Sequence, residues 1–223
     1  MSVETKKTKA NKFSLREPSF YNIWRRIFLY LVTSVGYMVR YKLVYRLEVQ
    51  GKENIPKHSD FIIAANHLST LDPPLICGIM PQGVAYMAKK ELFENLFLRW
   101  WLDWLGAFAV DREKLGVSTI KTVKAIKSTG WVLAMFPQGT RQAPGEISNV
   151  KKGFASLAKT TKCGILPIGI TGTQEVHRWP FTGKIIVRIG KLIPYSDNVD
   201  DMVQKWGESI EELTGFKYIP GEE

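Results

Sequence analysis

Short apolar runs, several of them apolar at consecutive positions, are spaced along the chain and separated by longer segments that mix apolar and polar residues. Runs of this length with no polar face read as strands buried on both sides. They are "LVYRLEVQ" (Leu43 to Gln50), "FIIAAN" (Phe61 to Asn66), "GVAYMA" (Gly83 to Ala88), "AFAV" (Ala107 to Val110), "WVLAMF" (Trp131 to Phe136), "GILPIGI" (Gly164 to Ile170) and "KIIVRIG" (Lys184 to Gly190). The segments between them predict helices over Pro73 to Met80, Glu91 to Leu105, Ser118 to Thr129, Gly153 to Thr161 and Val199 to Leu213. Such alternation predicts one α/β domain over residues 45–223, with a mixed central sheet of about seven strands flanked by helices. No repeat, low-complexity tract or linker divides it.

Ahead of the domain the pattern changes. A polar leader, residues 1–18, is followed by "FYNIWRRIFLYLVTSVGYMVRYKLVYR", which is apolar and aromatic with basic edges. Residues 19–44 read as a membrane-associating helix. Its charge-free core, Ile27 to Val39, is thirteen residues long, whereas a spanning helix needs roughly 20. The expectation is a helix lying in the interface, with Trp24, Tyr30, Tyr37 and Tyr41 at headgroup depth and Arg25, Arg26, Arg40 and Lys42 on lipid phosphates. The alternative is a helix packed on the protein's own core.

Composition agrees with a folded domain, since 45% hydrophobic and 12% aromatic residues among 223 supply a sizeable core. The net charge of +10 is unevenly placed: residues 1–50 carry ten Lys/Arg against three Asp/Glu, and residues 197–223 carry two against eight. A basic end interleaved with aliphatic and aromatic residues suits an anionic membrane surface, while a nucleic-acid reader would be polar there. No cleavable signal pattern is present. Cys77 and Cys163 lack metal-like spacing, so no disulfide framework, metal or redox group is expected. The composite expectation is a monotopic or peripheral protein at the cytoplasmic face of a membrane.

Candidate chemistry begins at "AANHLSTLDPPL" (Ala64 to Leu75). In a regular helix His67 and Asp72, five residues apart, would diverge by roughly 140°. They can meet only across a turn, and the sequence offers one between the end of a strand and Pro73, which suits the first turn of a helix. Asp72 then has two readings: N-cap of that helix, or partner of one imidazole nitrogen, fixing the tautomer and leaving the other nitrogen to take a proton. Ser69 is the nearest protein hydroxyl, but no G-x-S-x-G elbow accompanies the pair, so the hydroxyl it would activate is more economically a substrate's. Downstream, "GAFAVDR" (Gly106 to Arg112) and "MFPQGTRQAPG" (Met135 to Gly145) place arginines and glycines at strand ends, which suits a phosphate, and "ILPIGI" (Ile165 to Ile170) sets Pro167 inside an apolar strand.

In this order the four segments resemble the glycerolipid acyltransferase family, most closely its 1-acylglycerol-3-phosphate (lysophosphatidic acid) acyltransferases, over about residues 45–195. The resemblance implies transfer of a fatty acyl group from acyl-carrier protein or acyl-CoA, as co-substrate and with no cofactor, to lysophosphatidic acid, giving phosphatidic acid. It implies His67 and Asp72 as the catalytic pair. Lys89, Arg112, Gly139, Thr140 and Arg141 fall on positions that bind the glycerol phosphate, Lys151 and Gly153 on a further basic-glycine pair, and Pro167 on the acyl or donor region. Gln138 stands where the family usually has Glu. The same resemblance leaves open glycerol 3-phosphate or a headgroup-bearing lysophospholipid as acceptor, or a catalytically silent membrane-binding relative.

Overall fold

In the computed structural model, which describes residues 13–110, 116–175 and 183–221, each of the seven apolar runs supplies one strand of a single sheet. The strands are β1 (Glu48–Gln50), β2 (Phe61–Ala65), β3 (Gly83–Lys89), β4 (Phe108–Val110), β5 (Trp131–Met135), β7 (Gly164–Thr171) and β8 (Ile186–Ile189), in the order β1-β8-β7-β2-β5-β3-β4. A short β6 (Glu146–Ile147) pairs separately with β9 (Lys217–Tyr218). Strands β7, β2, β5, β3 and β4 run parallel, and β8 lies antiparallel to β7. Five parallel strands therefore end on one edge, and whatever follows each of them in sequence is gathered there.

Period-two alternation divides the core into two layers. On β2, Ile62 and Ala64 point into one apolar cluster and Phe61, Ile63 and Ala65 into the other. The first layer is closed by α5 (Val117–Lys127), α6 (Gly153–Thr161) and α7 (Val199–Thr214), through Val123, Ile126, Phe154, Leu157, Met202, Trp206 and Ile210. Trp206 hides its indole and donates its N–H to the Ala64 carbonyl at 3.0 Å, so the polar tip is satisfied inside the core.

The second layer is covered by α3 (Asp72–Ile79) and by the N-terminal helical run. That run consists of α1 (Ile23–Leu31), a wider π-helical stretch (Val32–Met38) and α2 (Val39–Leu43). Leu43 and Val44 thus leave the first predicted strand, which keeps only its last three residues as β1. The predicted helix over Glu91 to Leu105 begins as a 3-10 turn (Lys90–Phe93), then continues as α4 (Leu96–Trp104) capped by the Asn95 side chain.

The reading of the N-terminal helix as packed on the protein's own core holds for one face. Leu29, Thr33 and Tyr41 are buried, and Met38 lies so close to Gly78 of α3 that a Cβ there would meet its Sδ at 2.6 Å. The opposite face leaves Trp24, Tyr30, Leu31, Val35 and Leu43 exposed. Two of the expected lipid contacts are corrected. Tyr41 is 1% exposed and donates its hydroxyl to the Leu71 carbonyl at 2.7 Å. Arg25 lies over the Phe20 ring and donates to the carbonyls of Phe20 and Asp103. Each polar tip is drawn inward because it satisfies a backbone carbonyl that water does not reach as easily. Among the described residues no helix is long and apolar enough to cross a membrane.

Candidate active site

The turn after β2 brings His67 and Asp72 together. His67 Nδ1 lies 2.8 Å from Asp72 Oδ2, with the aspartate fully buried and the histidine side chain 16% exposed. The same Oδ2 accepts the N–H groups of Leu68 at 2.7 Å and Ser69 at 2.8 Å, and Oδ1 accepts the Thr173 hydroxyl at 2.7 Å. Asp72 therefore does not serve as the N-cap of α3: it is the first residue of that helix, and its carboxylate folds back over the preceding turn. The chain turns this way because Pro73 and Pro74 start the helix at once, leaving residues 68–71 to reverse direction. Fully buried, the carboxylate is held by donors on both oxygens rather than by water.

The imidazole is fixed from its other sides as well. Phe136, at the end of β5, stacks on the His67 ring with centroids 4.1 Å apart, and Tyr86 stacks in turn on Phe136. The loop after β5 grips the His67 backbone: Gln142 donates its N–H to the His67 carbonyl at 2.8 Å, and Gln138 Oε1 accepts the His67 N–H at 3.2 Å. That bond sets the amide orientation, because the opposite flip would face two donors at each other. Gln138 is 2% exposed, and its Nε2 finds no hydrogen-bond partner among the described residues. Gln138 thus supplies an acceptor to the turn that carries His67, without a charge. A Glu would do the same with one.

Gly139 adopts φ +73°, and its missing side chain leaves room for Lys151, whose Cε and Nζ lie 3.5 and 3.6 Å from where a Cβ would stand. Thr140 accepts from the Gln142 side chain, and Arg141 is exposed on the same loop. Lys151 ties its N–H to the Pro137 carbonyl, and Gly153 opens α6 just beyond. Lys89 ends β3, exposed, with Nζ 3.8 Å from a Glu91 carboxylate oxygen. Arg112 lies outside the described residues, two positions after the end of β4. Lys89, Gln138, Gly139, Thr140 and Arg141 thus all sit at or just past carboxyl ends on the edge that carries His67. Pro167 does not: it pairs with Ala64 inside β7, buried, and its carbonyl accepts the Gly190 N–H.

Three side chains that sequence reasoning did not single out complete the arrangement. Asn66 donates to the Ile170 carbonyl at 2.8 Å and accepts the Ile170 N–H at 2.7 Å, a two-bond clamp between the ends of β2 and β7. Phe136 and Thr173 are the other two. The polar Asn directly before His67 at the end of an otherwise apolar run was a usable signal; the others become visible only through contact. Tyr41 borders the site through Leu71. Burial first, then the phenol of Tyr37 and the carboxylate of Asp72, push its pKa up, so it stays a neutral donor. Among the described residues no group of His, Cys, Asp and Glu side chains could hold a metal ion.

Comparison with known proteins gives a consistent picture. A family model described as Acyltransferase matches residues 46–171. A 1-acyl-sn-glycerol-3-phosphate acyltransferase of Bacillus subtilis is 37% identical over 147 residues, 66% of this chain and 69% of its own length. A protein of the same name from Streptococcus pneumoniae is 30% identical over 181 residues, 80% of this chain, and the chain spans 64% of that relative's length. Among solved structures, the 1-acyl-sn-glycerophosphate (LPA) acyltransferase PlsC of Thermotoga maritima superposes with a TM-score of 0.65 at 28% identity, covering 85% of this chain and 81% of that one. With the family model spanning over half of its residues, the β2 turn and the β5 loop included, the chain belongs to the acyltransferase family.

Proposed function

We propose that the chain transfers a fatty acyl group from an acyl thioester to the free hydroxyl of 1-acylglycerol 3-phosphate, forming phosphatidic acid. The observation that carries this reading is the His67–Asp72 pair, bonded through Nδ1 at 2.8 Å. With Nδ1 engaged, Nε2 is the nitrogen that removes the acceptor's hydroxyl proton as its oxygen attacks the thioester carbonyl. Asp72 balances the charge of the imidazolium that results. Collapse of the tetrahedral intermediate breaks the C–S bond, and the departing thiolate takes the proton from His67. Carbon, sulfur and proton are thereby accounted for with no acyl-enzyme, cofactor or metal.

The names of the two bacterial relatives and of the Thermotoga structure support the acceptor. Arg141, Lys89 and Lys151, joined by Arg112, are the cations we assign to its phosphate, Arg141 with a bidentate fork. Thr140 and the Gly139 loop give that phosphate close approach. Pro167, inside the sheet, we assign an indirect part in the acyl or donor region, by shaping β7. The donor is acyl-carrier protein or acyl-CoA; both carry phosphate that suits the same cations.

Both substrates are lipidic or acylated, so the site has to open toward a membrane. The exposed Trp24, Tyr30, Leu31 and Val35 of the N-terminal run, with Leu96 and Phe97 of α4, supply an apolar face for one. We place the protein as a peripheral or monotopic guest of the cytoplasmic leaflet, whose anionic lipids attract the basic N-terminal segment.

The test is phosphatidic acid formation by the full-length chain in lipid micelles, given lysophosphatidic acid with each thioester in turn. Turnover that His67→Ala abolishes is expected. Acylation of only glycerol 3-phosphate or a headgroup-bearing lysophospholipid would overturn the acceptor assignment. Silence with every acceptor would overturn the activity. For the membrane, Leu31→Glu/Val35→Glu should lose flotation with anionic vesicles; unchanged flotation would remove that face from the account.

A further inference from the structure

We propose that Thr173 is a positioning residue for the general base, holding the Asp72 carboxylate in the one orientation that serves His67. The two oxygens of Asp72 are unequally supplied. Oδ2 meets three donors, His67 Nδ1 and the N–H groups of Leu68 and Ser69, while Oδ1 meets the Thr173 hydroxyl at 2.7 Å. The three on Oδ2 come from one turn and hold a single point. Rotation of a carboxylate about its Cβ–Cγ bond is a soft motion, so one held oxygen leaves the plane of the group free to swing. The second anchor, from a strand end 101 residues away, fixes that plane against the imidazole.

The hydroxyl has little choice of direction. Thr173 is fully buried, and an ionised carboxylate only accepts, so the threonine must donate. Its place is built by Ile170 and Gly172 ahead of it and by the neighbouring strand. Asn66 clamps both backbone groups of Ile170, which sets the end of β7 against the end of β2. Gly172 then turns the chain at φ +86°, with a Cβ excluded because it would lie 2.1 Å from the Lys184 carbonyl oxygen. Thr173 is delivered to Asp72 by that turn.

This inference rests on the reading of His67 as the base. When His67 takes the hydroxyl proton, the positive charge that develops faces Asp72, and its stabilisation depends on how squarely the carboxylate meets the Nδ1–H. Buried beneath the pair, Thr173 reaches no substrate, so its removal acts on the chemical step and not on acceptor binding.

The experiment compares Thr173→Val, Thr173→Ser and His67→Ala in the full-length protein, in lysophosphatidic acid micelles with a saturating thioester. Thr173→Val keeps the shape and deletes the hydroxyl; it should lower kcat on the order of tenfold with KM for the acceptor unchanged. Thr173→Ser should recover most of the loss. In proton NMR, the low-field resonance of the His67–Asp72 bond should shift or vanish in the valine variant and return in the serine variant. A valine variant with wild-type kcat, a serine variant as impaired as the valine one, or a loss of rate that only tracks loss of folded protein would overturn the proposal. Retained turnover in His67→Ala would instead bring down the general-base reading beneath it.

Discussion

Asp72→Asn separates the charge of the aspartate from its shape. The amide oxygen can take the place of Oδ2, still accepting from Leu68, Ser69 and His67, while the new NH₂ group faces Thr173, whose hydroxyl turns round to accept. The buried Thr173 O–H and the second amide hydrogen give up or lack an acceptor, at about 1–3 kcal/mol each, so the thermal midpoint should fall while the fold survives. What disappears is the attraction between carboxylate and imidazolium. With Nδ1 and Oδ2 at 2.8 Å the charge centres lie about 4 Å apart, worth about 4 kcal/mol at an effective dielectric of about 20. That is roughly a factor of 10³ in rate. The assay is thiol release from a saturating thioester with lysophosphatidic acid at fixed pH, checked against phosphatidic acid formed, with circular dichroism to certify folding. A folded Asp72→Asn protein within about tenfold of wild-type kcat would limit the contribution of the charge to about 1.4 kcal/mol and refute the electrostatic reasoning.

Asn66→Leu removes both bonds to Ile170 and should cost about 2–6 kcal/mol, since each abandoned buried backbone group costs about 1–3; a urea midpoint equal to wild type would deny the clamp. Arg141→Ala should raise KM for lysophosphatidic acid while leaving kcat within a few-fold, because the exposed guanidinium is assigned to binding and not to proton transfer; an effect on kcat alone would reverse that assignment. Gly139→Ala forces a Cβ into φ +73°, a strain of about 1–2 kcal/mol, and should lower activity by shifting the loop that grips His67. Full activity there would uncouple the loop from the base.

Local patterning was legible wherever a local cause decides the outcome. "FIIAAN" and "GILPIGI" are apolar at consecutive positions because both faces of a central strand are buried, and both became neighbours in the sheet. "LVYRLEVQ" was misread at its start, because an apolar pair such as Leu43–Val44 satisfies a helix face and a strand equally. Tyr41 and Arg25 look like interfacial anchors in sequence, since amphipathic side chains serve water, lipid or an internal carbonyl with the same atoms. Only the packing of α2 on the Leu71 turn, and of Arg25 on Phe20, chose among them.

The site shows the same division. The Pro73 helix start confined His67 and Asp72 to one turn, but the residues alone left Asp72 equally readable as an N-cap, and only the resemblance to the acyltransferase family paired them. Thr173, Gln138 and Phe136 could not be assigned to that pair from their own surroundings. Their approach depends on β2, β5 and β7 lying side by side, parallel and in one register, so that residues 101 and 71 positions from their partners end on the same edge. The sequence by itself determined which segments would be strands and helices, and which turn would carry the histidine. Strand order, set by long-range pairing, decided what surrounds it, because hydrophobic periodicity marks the faces an element buries but carries no information about the neighbour it meets.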